Sequence, residues 1–416
     1  MSGDREFNAV TCLGCGCACD DLTVRVRDGR IAAVAPPCPL AKHWFGDGMV
    51  PGGVLVDGKS VEVEGAIEAA ADLLRGSTRP LVLIAPDLTT RAQRTAIAIA
   101  DALQADVDGA TSDTAAAGLQ AAQRRGRAAA TLGELRNRAD VLLLWGVDPG
   151  PRYPRYLERY GAATSSTHVP SRTLIAVSIS GDLAPQGCDL SAEFSAAEEV
   201  DALAVMTARV RGQRLRDLPP RLDVAVVLAE RLLQGRYVAI VHDAEPGDTR
   251  RDGRRAEGLL ALAQALNGPT RAALSTLRAG GNRSGAEAAL TWQTGYPARV
   301  SFRPGYPQSS PERSGVARLR SGDADVVLIA GSAAGLEAGI PGRTRGVVIG
   351  PRASTIAGVS VAIDTGVAGI HEAGIAYRMD DVPLPLSAVL PGPQSAAEVL
   401  DRLLAAVRRR ARERAS

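Results

Sequence analysis

Apolar and polar residues alternate with a period of two through residues 22–35, LTVRVRDGRIAAVA, on both sides of Asp28-Gly29. Alternation at that period puts the apolar side chains on one face of an extended chain. Asp-Gly supplies the positive φ angles of a two-residue hairpin turn, so the stretch predicts a β-hairpin. A second, smaller hairpin is predicted around Asp57-Gly58. From residue 63 the rhythm changes. Helical spacing of apolar residues runs through 63–76, 90–105 and 131–140, near 195–211 and 221–234, and through 254–266. Between these lie short apolar runs: 80–86 (PLVLIAP), 141–146 (VLLLWG), 173–180, 237–243, 271–277, 324–331, 345–351 and 360–365. A strand that is apolar on both faces must be covered on both, which is the signature of a parallel sheet between layers of helix.

The fold expected is α/β, with doubly wound parallel-sheet subdomains behind a small N-terminal cysteine-bearing β lobe. The boundaries read from the pattern are a lobe over 1–55, a discontinuous α/β domain over 56–165 and 320–416, and a second α/β domain over 166–319. The 416 residues exceed what one core organises. No repeat of fixed period is evident.

Composition narrows the function. The 48 basic and 46 acidic residues are interleaved and leave a net charge of +2, so no nucleic-acid surface is expected. The one basic run, RRRARER at 408–414, reads as a solvated helix end or a docking tail. No apolar run is long enough to span a bilayer. The opening MSGDREFNAV lacks the basic and apolar regions of a signal peptide. A cytoplasmic protein is the expectation. Aromatic residues make up only 3% of the chain, so Ala, Val and Leu must fill the cores.

In a reducing compartment, clustered cysteines favour metal over disulfide. Cys12, Cys15 and Cys19 are spaced x2 and x3, and Cys38 follows 18 residues later, just beyond the first hairpin. A hairpin returns its ends to one place, so Cys38 can join the other three. Four thiolates in this arrangement suit a [4Fe–4S] cluster or zinc held by four cysteines; an empty relic loop has the same sequence. Cys17 lies out of register and reads as a spare thiol.

Several segments together are recognisable. CLGCGCACDDLTVRVRDGRIAAVAPPCPLA (12–41) resembles the amino terminus of the B subunit of formylmethanofuran dehydrogenase, within the molybdopterin oxidoreductase superfamily. TLGELRNRADVLLLWGVDPGPRYPRYLERY (131–160), GNRSGAEAALTWQTGYPARVSFRPGYP (281–307) and AGIHEAGIAYRMDDVPLPL (368–386) resemble further family segments, in family order. The resemblance implies that Cys12, Cys15, Cys19 and Cys38 are [4Fe–4S] ligands. It also implies a molybdenum or tungsten bis-pterin that reduces CO2 to formate. The family holds that metal through a Cys or selenocysteine followed by His-Gly-Pro, in a loop ahead of the TLGE helix. The matching stretch here is 108–122, DGATSDTAAAGLQAA. Gly118 keeps the glycine, Ala116 and Ala117 stand at the ligand and histidine positions, and Leu119 replaces the proline. Alanine has no lone pair to give a metal. No cysteine lies between Cys38 and Cys188 to substitute for it, and Cys188 reads as a loop thiol.

That departure points to a branch of the family, the B-like subunit of the formyltransferase/hydrolase complex of methylotrophic bacteria. This complex moves formyl from formyl-tetrahydromethanopterin to methanofuran and on to formate. The branch implies a non-redox structural subunit without Mo/W bis-pterin, partnered by amidohydrolase-like, formyltransferase-like and further small subunits. It binds neither nucleic acid nor membrane and has no catalytic residue of its own. An active pterin- and Fe–S-dependent dehydrogenase is the alternative, and a zinc-stabilised binding module is a third reading.

Three further segments invite chemistry. The glycines of AGGNRSGAEAAL (279–290) precede a helix and either cradle an anion or make a plain connection. His371 beside Glu372 suggests a proton relay, or, with Tyr377, Arg378 and Asp380, a buried polar network. DPGPRYPRYLERY (148–160) suits an interface, a fold-supporting loop or a cofactor wall. His43, His168 and His242 have no metal spacing.

Overall fold

The computed structural model describes residues 4–161, 169–181, 185–245, 253–333, 336 and 339–415, with side chains to residue 409; His168 lies outside the described residues. The chain divides into two compact units, 1–111 with 280–416, and 112–279.

The first unit is built on a nine-stranded sheet. Its centre is five parallel strands, in the spatial order Asp106–Gly109, Pro80–Ile84, Val326–Ala330, Arg345–Gly350 and Val361–Asp364. Antiparallel edges complete it: Val300–Ser301 and Gln308–Ser309 on one side, and the hairpin Val54–Val56/Lys59–Ser60 on the other. The strands are apolar throughout because each face meets a separate core. Val82, Ile84, Val326, Leu328, Val347, Ile349, Val361 and Ile363 point to one side. There they pack against the helices Val63–Arg75, Thr90–Leu103, Arg283–Thr294 and Ala396–Ala415. Leu81, Leu83, Val327, Ile329, Val348 and Ala362 point to the other, against Leu319 of the helix Gly315–Arg320. This is the two-residue period read as burial on both faces.

A separate three-stranded antiparallel sheet, Arg5–Val10, Leu22–Arg27 and Arg30–Ala35, carries the cysteine loop. Asp28 (φ 49°) and Gly29 (φ 73°) both take positive φ at the hairpin turn, as do Asp57 (46°) and Gly58 (76°).

The second unit has a five-stranded, wholly parallel sheet in the order Leu190–Phe194, Thr173–Ile179, Val141–Trp145, Tyr237–Asp243, Arg271–Leu277. Helices Glu199–Val210, Asp223–Leu233 and Gly253–Leu266 cover its core.

The boundaries differ from those read off the sequence. Val141–Trp145 pairs with Thr173–Ile179 and Tyr237–Asp243, so the first crossing falls at 111 rather than 165. Helix Arg283–Thr294 and strand Val300–Ser301 join the first unit, so the return falls at 280 rather than 320. A buried apolar strand has no local mark of which sheet it joins. The stretch 108–122, read as a loop, is helical from Asp113 to Arg125. Ser112 caps it by accepting the Ala115 N–H at 3.1 Å.

Among the described residues, no helix is long and apolar enough to cross a membrane.

Candidate functional site

The cysteine loop closes on itself where the Cys12 N–H donates to the Cys19 carbonyl (2.8 Å) and the Ala18 N–H to the Cys15 carbonyl (3.1 Å). Cys38 begins the helix Pro39–Phe45. The Gly14 N–H donates to Cys12 Sγ at 3.2 Å. Burial pushes the Cys12 thiol well above the usual range, and the nearby Cys15, Cys19 and Cys38 push it the same way. The loop therefore brings the four sequence-predicted residues into one neighbourhood. Cys17, read as a spare thiol, is wholly buried. None of the cysteines is in a disulfide. Four thiols with an amide aimed at one of them are the right donor chemistry for a thiolate-held centre. Yet among the described residues no three metal-ligating side chains stand together at the spacing of a bound ion.

Glycines hold the loop in place. Gly280 leaves room for backbone: a Cβ there would stand 2.5 Å from the Gly14 oxygen and 2.6 Å from the Leu13 oxygen. A Cβ at Gly14 would stand 2.6 Å from the Leu40 oxygen. The Gly281 N–H donates to the Leu13 carbonyl (2.7 Å) and the Asn282 N–H to the Pro86 carbonyl (2.5 Å). These bonds and close approaches account for Gly280 and Gly281 by close packing.

Asn282, fully buried, ties three segments together. Its Nδ2 faces the Leu88 carbonyl (3.0 Å), Thr90 Oγ1 (3.1 Å) and Gln93 Oε1 (3.0 Å). Its Oδ1 accepts the Tyr377 N–H (2.8 Å). The sequence marked this residue only as part of a glycine-rich turn.

His371 and Glu372 do not form a relay. His371 Nδ1 accepts the Val367 N–H (3.1 Å), which makes Nε2 the donor to the Gly48 carbonyl (2.7 Å). Burial lowers the His371 pKa, against the raising effect of the Gly48 bond. Glu372 accepts from Thr89 Oγ1 (2.9 Å) and from the Ala396 N–H (2.7 Å). Arg378 grips Asp380 with two bonds of 2.6 and 2.7 Å. His371, Glu372 and the Arg378–Asp380 pair thus each hold a separate part of the segment to its surroundings.

Ala116, the position expected to lack a metal ligand, is buried inside the helix Asp113–Arg125, and its N–H donates to the Ser112 carbonyl (2.8 Å). Cys188 donates its S–H to the Pro185 carbonyl at 3.1 Å.

Open parallel sheets bind dinucleotides in the crevice where strand order reverses, beyond the carboxyl ends of the strands. Each unit has one such point, and described side chains pair with one another at each. In the first unit it lies between Pro80–Ile84 and Val326–Ala330. There the buried Asp87 carboxylate accepts the Ser332 N–H (3.0 and 3.2 Å). A Cβ at Gly331 would stand 2.6 Å from both Ala85 Cβ and Asp87 Oδ1. In the second unit it lies between Val141–Trp145 and Tyr237–Asp243. Asp243 is bound by Arg152 (2.6 Å), the Tyr153 hydroxyl (3.0 Å) and the Glu245 N–H (2.9 Å). Arg278 holds Glu245 (2.9 Å). Tyr153, Tyr156 and Tyr160 are all buried, so the tyrosines of the Arg–Tyr segment support the fold. Among the described residues, the Asp87, Asp243 and Glu245 carboxylates at these points oppose a phosphate, and Arg152 and Arg278 beside them are already paired.

Comparison with known proteins gives the lineage. The Fhc B subunit of the formyltransferase/hydrolase complex of Methylorubrum extorquens is 31% identical over 274 residues, 66% of this chain and 73% of that protein. The chain belongs to the family of the B subunits of formylmethanofuran dehydrogenase and of the Fhc complex. The B subunit of the tungsten-containing formylmethanofuran dehydrogenase 2 of Methanocaldococcus jannaschii is 29% identical, over 92% of this chain and 94% of the relative. Its counterpart in Methanococcus maripaludis is 27% identical, over 96% and 98%. A chain in the crystal structure of the M. extorquens formyltransferase/hydrolase complex FhcABCD, solved with methylofuran, superposes with a TM-score of 0.72 and 26% identity. That match covers 86% of this chain and 99% of the other. No family model matches the chain. The family thus contains relatives named for a tungsten enzyme and relatives named for a formyl-transfer complex. Membership alone does not choose between them; the residues do.

Proposed function

We propose that this chain is the B component of a formyltransferase/hydrolase complex of one-carbon metabolism. In this reading it is a structural subunit that performs no redox chemistry. The complex transfers formyl from formyl-tetrahydromethanopterin to methanofuran and releases formate, on sister subunits and in the cytoplasm.

Ala116 carries the reading. The family's tungsten or molybdenum centre is held by a Cys or selenocysteine, and a methyl group on a buried helix supplies no such donor. The paired carboxylates at Asp87–Ser332 and Asp243–Arg152 support it. So does the match to a chain of a formyltransferase/hydrolase complex along 99% of that chain's length. The two tungsten-enzyme relatives favour an active dehydrogenase instead, but that chemistry has no metal ligand at Ala116. Cys12, Cys15, Cys19 and Cys38 are an inherited [4Fe–4S] ligand set in this reading. Such a cluster would supply single-electron transfer when bound. Without it the loop is closed by its own backbone bonds, Cys12 N–H to the Cys19 carbonyl and Ala18 N–H to the Cys15 carbonyl.

The test is reconstitution from purified subunits. The assembled complex should release formate from the formyl donor with no electron donor or acceptor, and omission of this chain should abolish assembly. Formate or CO2 turnover by this chain that depends on an artificial electron carrier would overturn the proposal.

A further inference from the structure

The first unit buries a carboxylate oxygen beside a small cavity. Asp106, at the start of the strand Asp106–Gly109, is 5% exposed. Its Oδ2 accepts from Arg303 (2.8 Å), which follows the strand Val300–Ser301, and from Arg318 (3.1 Å) of the helix Gly315–Arg320. Among the described residues its Oδ1, also buried, has no hydrogen-bond partner. Asp106 lines a cavity of about 10 Å³ together with Asp108, Arg299, Ser310 and Arg318. Asp106 and Asp108 are two residues apart on one strand, so their carboxylates share a face. Asp108 accepts the Gly109, Arg299 and Gly315 N–H groups (2.9, 3.2 and 2.7 Å). Arg318 also donates to Ser310 Oγ.

We infer that this cavity binds one water molecule, which donates to Asp106 Oδ1 and ties the antiparallel edge of the sheet to the helix Gly315–Arg320. Size sets the class of ligand. A water requires roughly 10–15 Å³ of such room and two to four polar partners, and the cavity leaves no space for an organic molecule. Charge argues against an ion. Asp106 and Asp108 oppose an anion, while Arg299 and Arg318 in the lining, and Arg303 on Asp106, oppose a cation. The carboxylate oxygen is an acceptor, so its partner must bring a hydrogen. Water brings two. One goes to Asp106 Oδ1, and the other has the Asp108 carboxylate or the Ser310 hydroxyl within the same lining. Its own oxygen accepts from the Arg318 guanidinium. A buried acceptor without a donor is destabilising, and the bound water removes that penalty. The inference does not depend on the function proposed above.

The test is crystallography of the full chain at a resolution that shows ordered water. The wild type should show one fully occupied peak about 2.8 Å from Asp106 Oδ1. Crystals soaked separately in sodium bromide and in rubidium chloride should give no anomalous signal there. Asp106→Leu keeps the branching of the side chain but has no acceptor, so its map should lose the peak. If the leucine variant does not fold, the wild-type map and the two soaks decide. A wild-type map with Oδ1 turned to a protein donor, or with no peak beside it, would overturn the inference. So would a bromide or rubidium signal at the site, or an unchanged peak in folded Asp106→Leu.

Discussion

Replacing Asn282 by alanine tests the architecture around the cysteine loop. The asparagine side chain is fully buried and meets four partners at 2.8–3.1 Å: the Leu88 carbonyl, Thr90 Oγ1, Gln93 Oε1 and the Tyr377 N–H. Each hydrogen bond contributes about 1 kcal/mol net, but a buried group left without a partner costs about 1–3 kcal/mol. The Leu88 carbonyl and the Tyr377 N–H both lose Asn282 in the variant, and a small void is added. The sum is about 3–5 kcal/mol against the first unit. Asn282→Asp keeps the acceptor for Tyr377 but turns a carboxylate toward three oxygens, so it should be no milder. Because the chain has two units, a single unfolding curve need not be two-state. Hydrogen exchange of the Tyr377 amide, alongside urea unfolding, isolates the effect. A loss below about 1 kcal/mol, with Tyr377 protection intact, would refute the hub.

Gly280→Ala should push the cysteine loop away from its neighbour, since the new Cβ meets the Gly14 and Leu13 oxygens at 2.5–2.6 Å; faster labelling of Cys12 by a thiol reagent is the readout. Burial raises the Asp108 carboxyl to about 6, against its contacts with Gly315, Arg299 and its own loop. Its folded pKa lies above the unfolded value, so the folded state holds the proton more tightly, and the penalty present above pH 6 is relieved as pH falls toward 4. The contribution between pH 7 and 4 is about 2 kcal/mol, and Asp108→Asn should flatten that part of the stability–pH curve. Arg172 donates to the carbonyls of Ala139 (2.7 Å), Arg136 (2.7 Å), Tyr160 (3.1 Å), Leu135 (3.2 Å) and Gly161, gathering the ends of two helices. Arg172→Ala should cost the second unit about 2–4 kcal/mol, and Arg172→Lys should not rescue it, because an ammonium cannot fan donors over five carbonyls.

The elements with a strong period were legible in the sequence. Asp28-Gly29 and Asp57-Gly58 form hairpin turns with both residues at positive φ. The apolar runs at 80–86, 141–146 and 326–330 are buried parallel strands. Sheet membership was not legible: Val141–Trp145 and Val326–Ala330 read alike, yet they sit in different sheets. The helix over Asp113–Arg125 was hidden because TAAAGLQAA has too few large apolar residues to mark a face, although Ser112 and Asp113 give a proper helix start. At the candidate site, the spacing of Cys12, Cys15, Cys19 and Cys38 implied one neighbourhood, and the four thiols do lie near one another. The work of Gly280 and Asn282 depends on contacts 95 or more residues away along the chain, between segments no local pattern connects. The burial of Tyr153, Tyr156 and Tyr160 has the same origin. Arg–Tyr composition fits an interface as well as a core, and only packing separates the two.

The most direct test of the account is the metal and pterin content of the complex isolated without oxygen. The account predicts tungsten and molybdenum far below one atom per chain and no extractable pterin, whether the cysteine loop carries iron with acid-labile sulfide, zinc or no metal. One tungsten or molybdenum per chain, together with two pterins, would contradict it.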